Sequence, residues 1–208
     1  LQNGPSAYIE AVCRRWNVRV NTDATIREVR RYDSHVDILC GDSCERFDQV
    51  VFACHSDQAL RLLAEPTAAE SDILGAIRYQ GNETILHSDS SVLPPDRRAW
   101  AAWNADIPSD PDAPCTVSYC MNILQGLGSP HAFIVSLNQG HQINPDRIHA
   151  VMSYQHPVYD HAMLRAQARR NELQGHKRSW FCGAYWGFGF HEDGFRSGMD
   201  VAQAILQE

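Results

Sequence analysis

The 208-residue chain predicts an α+β fold, with a mixed or antiparallel sheet in its middle and α/β elements near both ends. Three observations carry this reading. Residues 18–47 alternate apolar and polar positions between turn-forming Asp, Ser and Gly, as half-buried antiparallel strands do. The run Asp48-Gln-Val-Val-Phe-Ala-Cys54 loses that alternation, as expected of a strand buried on both faces. Near the other end, Ala162, Leu164, Ala166, Ala168 and Leu173 mark an amphipathic helix over 160–174.

In chain order, residues 4–16 read as a helix, with Pro5 in its first turn and Ile9, Val12, Cys13 and Trp16 on one face. Strands follow at 18–20, 25–31, 35–39 and 45–47, with turns at Tyr32-Asp-Ser34 and Gly41-Asp-Ser43. Ser56 caps a helix over 57–64 that stops before Pro66. Between 78 and 160 come short strands at 84–87, 116–121, 132–137 and 147–154, divided by proline-bearing loops at 93–95 and 107–114. Trp100 and Trp103 sit side by side if their segment is a helical turn and face opposite ways if it is extended. Gly175 supplies the C-cap of the 160–174 helix.

The last quarter reads Cys182-Gly-Ala-Tyr-Trp-Gly-Phe-Gly-Phe-His-Glu-Asp-Gly-Phe-Arg-Ser-Gly198, then an apolar-periodic run to Leu206. Glycines permit close backbone approach, and the Ser197-Gly198 pair is expected to open a helix whose free N–H groups meet an anion or a polar ring. A strand-to-helix turn without a ligand uses the same residues.

Composition narrows the function classes. With 44% hydrophobic and 21% charged residues the chain is ordinary globular material, and a formal charge of −7 disfavours non-specific nucleic-acid binding. No run of 18 apolar residues occurs, so no integral membrane segment is expected. Seven cysteines without a Cys-x-x-Cys pair read as reduced thiols of a cytoplasmic protein. Cys40 and Cys44 have no second pair at zinc spacing, and His156 and His161 are separated by Pro157, so no metal site is expected. Neither a Ser/His/Asp nor a Cys/His nucleophile arrangement is visible in sequence order.

The order of residues in the final segment resembles the C-terminal FAD-binding motif of the flavin-containing amine oxidase and carotenoid desaturase superfamily. Trp180-Phe181-Cys182-Gly183 matches its strand, and Glu192-Asp193-Gly194-Phe195-Arg196-Ser197-Gly198 matches its helix entry. Ala184 stands where that superfamily usually has Asp, and Phe195 where it has a small residue; the variant resembles a bacterial branch of predicted NAD/FAD-binding, amine-oxidase-like proteins. Leu86-His-Ser-Asp89, Tyr119-Cys-Met-Asn122, Val135-Ser-Leu-Asn138 and Gln155-His-Pro157 extend the resemblance over nearly the full chain.

The resemblance implies an FAD/NAD(P)-binding half and an FAD-linked reductase-like substrate domain. It divides the chain into 1–76 (helix, meander and buried strand of the FAD-binding half), 77–178 (substrate domain) and 179–208 (closing FAD strand, loop and helix). It implies non-covalent FAD held at Ile26, Gly183, Ala184, Tyr185, Gly189, Phe190, His191, Glu192, Asp193, Gly194, Phe195, Ser197 and Gly198. His191 and Glu192 are the proton-handling candidates, and Trp100, Trp103 and Tyr119 the substrate wall. Hydride removal from an amine or a C–C bond of a small-molecule or lipid-like substrate is the implied reaction. The Gly-x-Gly-x-x-Gly turn that holds the pyrophosphate in such enzymes occurs nowhere in these residues. An N-terminal dinucleotide-binding segment is therefore expected to lie outside a chain that starts at Leu1, and the alternative is a truncated, non-catalytic binding or structural module that holds no FAD by itself.

Overall fold

A computed structural model of the chain describes residues 4–107 and 116–207, with side chains from residue 9 onward. Contacts divide it into two compact units: residues 1–19 with 81–156, and residues 20–80 with 157–208.

The second unit carries three strands, β1 (Ile26–Arg31), β2 (Val36–Cys40) and β3 (Ser43–Phe47), in an antiparallel meander. β4 (Val50–Phe52) follows and pairs in parallel with β10 (Ser179–Phe181). Parallel pairing needs a long crossover; here α2 (Ser56–Leu62) and α3 (Ala68–Gly75) leave β4, and α5 (His161–Ala168) precedes β10. The Phe52 and Phe181 rings stack at 5.1 Å across the pair, in a cluster with Val29, Leu63, Ile73 and Met163. α6 (His191–Ile205) closes the unit, seating Val201 against Trp180 and Cys182.

α3 was not anticipated, although its signal is present. Thr67 Oγ1 accepts from the Glu70 N–H at 3.2 Å and Glu70 accepts from the Thr67 N–H at 2.7 Å, a capping box. The same carboxylate pairs with Arg31 of β1, both side chains being 2% exposed. Burial opposes ionisation of Glu70, but Arg31 and the Thr67 N–H outweigh it and hold the carboxyl below the usual range.

The first unit carries α1 (Gly4–Cys13) and a five-stranded sheet in the order β6-β7-β8-β5-β9. Its strands are β5 (Tyr79–His87), which begins in the second unit, then β6 (Trp103–Asp106), β7 (Thr116–Cys120), β8 (Ile134–Leu137) and β9 (Ile148–Pro157). A short helix, α4 (Met121–Gln125), leaves β7 and ends on Gly126 at φ 65°, a left-handed turn that suits glycine. Pairings β6–β7, β7–β8 and β5–β8 are antiparallel. The α+β class with an antiparallel sheet is thus the observed one, and a parallel pair of α/β type joins Val50–Phe52 to Ser179–Phe181.

Several element expectations are corrected. Residues 18–20 form no strand, and Val18 and Val20 are exposed, because alternation without a pairing partner does not make a ladder. The apolar face of the N-terminal helix exposes Ile9, and Trp16 beyond its end is exposed too. Residues 160–174 divide into α5 and a 3₁₀ turn at Arg170–Glu172. α6 begins at His191, six residues before the predicted start at Ser197, because the Phe190 carbonyl already accepts from the N–H groups of Asp193 and Gly194. Residues 108–114 of the predicted proline-bearing loop, and Cys115, lie outside the described residues. Among the described residues no group of three or more His, Cys, Asp or Glu converges as metal ligands, and no helix is long and apolar enough to cross a membrane.

Candidate ligand sites

The loop from β10 to α6 is built from reciprocal contacts. Ser197 Oγ accepts from the Gly183 N–H at 2.9 Å and donates to the Gly194 carbonyl at 2.8 Å. Asp193 Oδ2 accepts from the N–H groups of Phe188 and Phe190, both at 3.0 Å. From α5, Gln167 Nε2 donates to the carbonyls of Tyr185 and Gly187 at 2.9 and 2.8 Å. These bonds order a segment rich in glycine, whose freedom otherwise makes ordering costly.

The glycines divide by cause. A Cβ at Gly187 would strike the Asp193 carboxylate, and one at Gly189, where φ is 87°, the Tyr159 hydroxyl. Packing therefore explains both, within the loop at Gly187 and against Tyr159 outside it at Gly189. At Gly194 an added Cβ makes only ordinary contact with Ala184, at 3.7–3.9 Å, and at Gly198 it meets nothing within 4 Å. Gly198 therefore faces open space beside α6, while Gly194 lies against Ala184.

Of the predicted cofactor residues, the loop brings 183–198 together. Ala184 and Tyr185 lie in a 3₁₀ turn, and Phe190 caps α6. His191 and Glu192 occupy its first turn, where neither backbone N–H has a hydrogen-bond partner among the described residues. Glu192 pairs at the surface with Arg196, while Phe188, Phe190 and Phe195 are exposed. Tyr185 is buried, yet its hydroxyl has no partner among the described residues, and burial pushes the phenol well above its ordinary value. Burial also pushes the Cys182 and Cys54 thiols up, which makes them poor nucleophiles. Ile26 opens β1 and is 42% exposed, so it is no sheet-core residue.

Ordered donors, exposed aromatic walls, an orphaned buried hydroxyl and open space at Gly198 fit a planar polar ring. The supporting residues Gln167 and Tyr159 were missed in the sequence, since they meet the loop only in the fold.

In the other unit, Trp103, Tyr119, Val135 and Leu86 are paired in register across β6, β7, β8 and β5, so they share one face of the sheet. Trp103 is exposed and meets Tyr119 edge-on at 5.5 Å, and the other three are half-buried. This row is an apolar wall. Trp100 is not in it: its ring packs on Leu93, Cys120 and Ile134, and its Nε1 donates to the Pro94 carbonyl at 2.8 Å. The segment is extended, which settles the alternative in favour of opposite faces. Val135 and Leu86 were not singled out, although alternation within their strands marks them.

The opposite face is buried and polar. The Asp89 N–H donates to His87 Nδ1 at 3.2 Å, so His87 Nε2 carries the proton and donates to Ser136 Oγ at 2.9 Å. Ser136 continues to Ser118 at 2.7 Å, Ser118 donates to Gln139 Oε1 at 2.7 Å, and Gln139 Nε2 donates to Thr116 at 2.8 Å.

No family model and no curated protein matches the chain. Solved structures do. The chain is similar to a fatty acid isomerase from P. acnes that produces CLA (TM-score 0.63, 13% identity, 97% of this chain and 52% of that one). It is also similar to a putative protoporphyrinogen oxidase from Exiguobacterium sp. 255-15 (TM-score 0.62, 12% identity, 100% and 52%). A third is cyclohexylamine oxidase from Brevibacterium oxydans IH-35A (TM-score 0.57, 11% identity, 88% and 48%). The chain therefore shares the fold of these oxidases and this isomerase, and it spans about half of their length.

Proposed function

We propose that the chain forms the substrate wall and the ring-closing segment of an FAD-dependent oxidoreductase of the amine oxidase type, acting on an amine or a C–C bond of a hydrophobic substrate. The observation that carries this is the first turn of α6. Its unspent N–H groups at His191 and Glu192 follow the carboxyl end of β10, the end of a parallel pair at which α/β folds take ligands. The helix dipole adds a positive field there, worth about 0.3–1 kcal/mol toward an anionic ring edge.

FAD, when bound, supplies the hydride acceptor. The residues of this chain orient and enclose it: the His191 and Glu192 N–H groups toward the ring's carbonyl edge, Phe188 and Phe190 as walls, and Ile26 as an apolar surface for the adenine. Asp193, Ser197 and Gly183 hold the loop that presents these groups. His191 and Glu192 are the side chains able to exchange a proton with water at the loop. Trp103 and Tyr119, with Val135 and Leu86, form the wall for an apolar substrate. The seven cysteines with no Cys-x-x-Cys pair support a reducing, cytoplasmic setting.

Titration of the purified chain with FAD, read by quenching of flavin fluorescence, tests the reading. Saturable quenching is expected. Gly198→Ala should weaken it about tenfold while leaving the fold intact or slightly more stable, since a Cβ there meets no protein atom within 4 Å. A folded chain that never quenches flavin supports the second reading, a module that holds no FAD alone. Two observations favour that alternative: the missing Gly-x-Gly-x-x-Gly sequence and a match to only half of each neighbour.

A further inference from the structure

We propose that the cleft between the β1–β2 turn and the turn preceding β10 binds a small phosphate-bearing molecule, with Lys177 and Arg178 as its cationic donors. The site belongs to the amino end of β10, opposite the end that carries the loop to α6, so it stands independently of the flavin reading.

Two adjoining cavities open here, of about 280 and 530 Å³, and they share Arg31, Tyr32 and Lys177 as lining. The larger falls within the range of small-molecule sites. Its remaining walls include Asp33, Gln49 and Arg178.

Charge neutralisation separates the cations. Arg31 is held by the buried Glu70, and Arg30, at the smaller cavity, by Glu28. Arg178 instead donates to two neutral acceptors, the carbonyls of Asp33 at 2.8 Å and Asp48 at 3.3 Å. Its charge is positioned without a carboxylate to cancel it. Lys177, the only lysine among 18 basic residues, has no ion-pair partner among the described residues. Of the acidic side chains on the rim, Asp33 faces the larger cavity and Glu65 the smaller. The larger cavity thus keeps a net positive charge, and an anion seats there.

The backbone gives a second, independent indication. Lys177 and Arg178 both have positive φ, 48° and 59°, one residue beyond Gly175 at 77°. Side chains other than Gly, Asn and Asp rarely adopt this conformation, and two in succession persist only where surrounding contacts impose them. Gly175 N–H to the Ser179 carbonyl at 3.0 Å and the two Arg178 bonds impose it here. Glycine at 177 would relieve the strain, whereas the lysine places an ammonium in the lining shared by both cavities.

The single lysine makes the test direct. The folded chain is treated with an amine-acylating reagent, and modification of the peptide carrying Lys177 is read by mass spectrometry with and without inorganic phosphate or phenyl phosphate. Titration calorimetry with the same two probes runs in parallel. Phosphate is expected to slow labelling of Lys177 several-fold and to bind less tightly at high salt. Tighter binding of phenyl phosphate than of inorganic phosphate identifies a phosphorylated organic molecule as ligand, and equal binding identifies free phosphate. Lys177→Gly should raise Tm, by relieving the positive φ, and lower phosphate affinity at least tenfold. Phosphate affinity unchanged in Lys177→Gly, labelling indifferent to phosphate, or chloride competing as well as phosphate at equal concentration would each overturn the proposal.

Discussion

The two units are stabilised by different chemistry. In the unit of residues 20–80 and 157–208, fourteen apolar side chains form one cluster around Phe52 and Phe181, with a single deeply buried ion pair at its edge. In the unit built on the five-stranded sheet, the buried residues among those described are five apolar and seven polar, with the chain from His87 to Thr116 running across the sheet. Apolar burial is non-directional and tolerates small shifts, whereas a buried hydrogen-bonded chain is stable only when every member is satisfied. As pH falls, the polar unit should therefore weaken first, below the ordinary histidine range, and the apolar unit only below the carboxylate range, where Glu70 takes up a proton.

The largest effect is expected where the apolar unit holds its one charge pair. Glu70→Ala leaves the Arg31 guanidinium buried and unpaired and should cost about 3–5 kcal/mol. Urea denaturation followed by the fluorescence of Trp180 and Trp186 measures it. Amide exchange should show the loss in β4 and β10 peptides and not in β7 and β8; equal loss in both would merge the units into one cooperative block.

Next comes the polar unit. Ser136→Ala removes the acceptor of His87 Nε2 and the partner of Ser118, leaving a buried donor unsatisfied at about 1–3 kcal/mol. The loss should appear in β5, β7 and β8 peptides by amide exchange.

Acid sharpens the same contrast. Burial lowers the pKa of His87, and the nearby His149 lowers it further, against a smaller upward pull from Asp89. The folded form thus binds a proton less readily than the unfolded chain, whose histidine titrates near about 6.5. Stability of this unit is fully present above that pH and declines as pH falls below it. Protonation would also place a donor at Nδ1 against the Asp89 N–H. Protection factors in β5 and β8, with exchange rates corrected for their intrinsic pH dependence, should fall as pH drops below about 6.5 before β4 and β10 respond; simultaneous loss in both units would remove His87 as the trigger.

The smallest effect is a cap. Thr67→Ala removes the acceptor for the Glu70 N–H and should cost about 1 kcal/mol, read as a lower Tm with α3 fraying first.

How far the sequence was legible depended on the range of the forces. The meander turns and the strand before the glycine loop are local signals, and each lies where its residues indicate. Two neighbouring expectations are corrected: β4 turns Val51 outward, 44% exposed, so it is buried on one face only, and α2 is capped by His55 while Ser56 Oγ donates to the Ile77 carbonyl. α3 was overlooked although Thr67 and Glu70 spell a capping box, a signal available to closer reading. The start of α6 was misplaced because Ser197 resembles a cap residue, while its hydroxyl is spent on Gly183 and Gly194. That pairing joins residues 14 apart and leaves no local pattern.

The sequence by itself determined the α+β class, the order of most elements and the segment in which a ring-binding loop sits. Periodicity and turn chemistry act within a few residues, so they can be read without the fold. Tertiary structure alone decided that Trp103 joins Tyr119 while Trp100 enters the core, that Arg31 meets Glu70, and that Arg178 is held by carbonyls from distant turns. Those outcomes depend on strand register and on which charges find partners, and both are settled only when segments far apart in the chain meet.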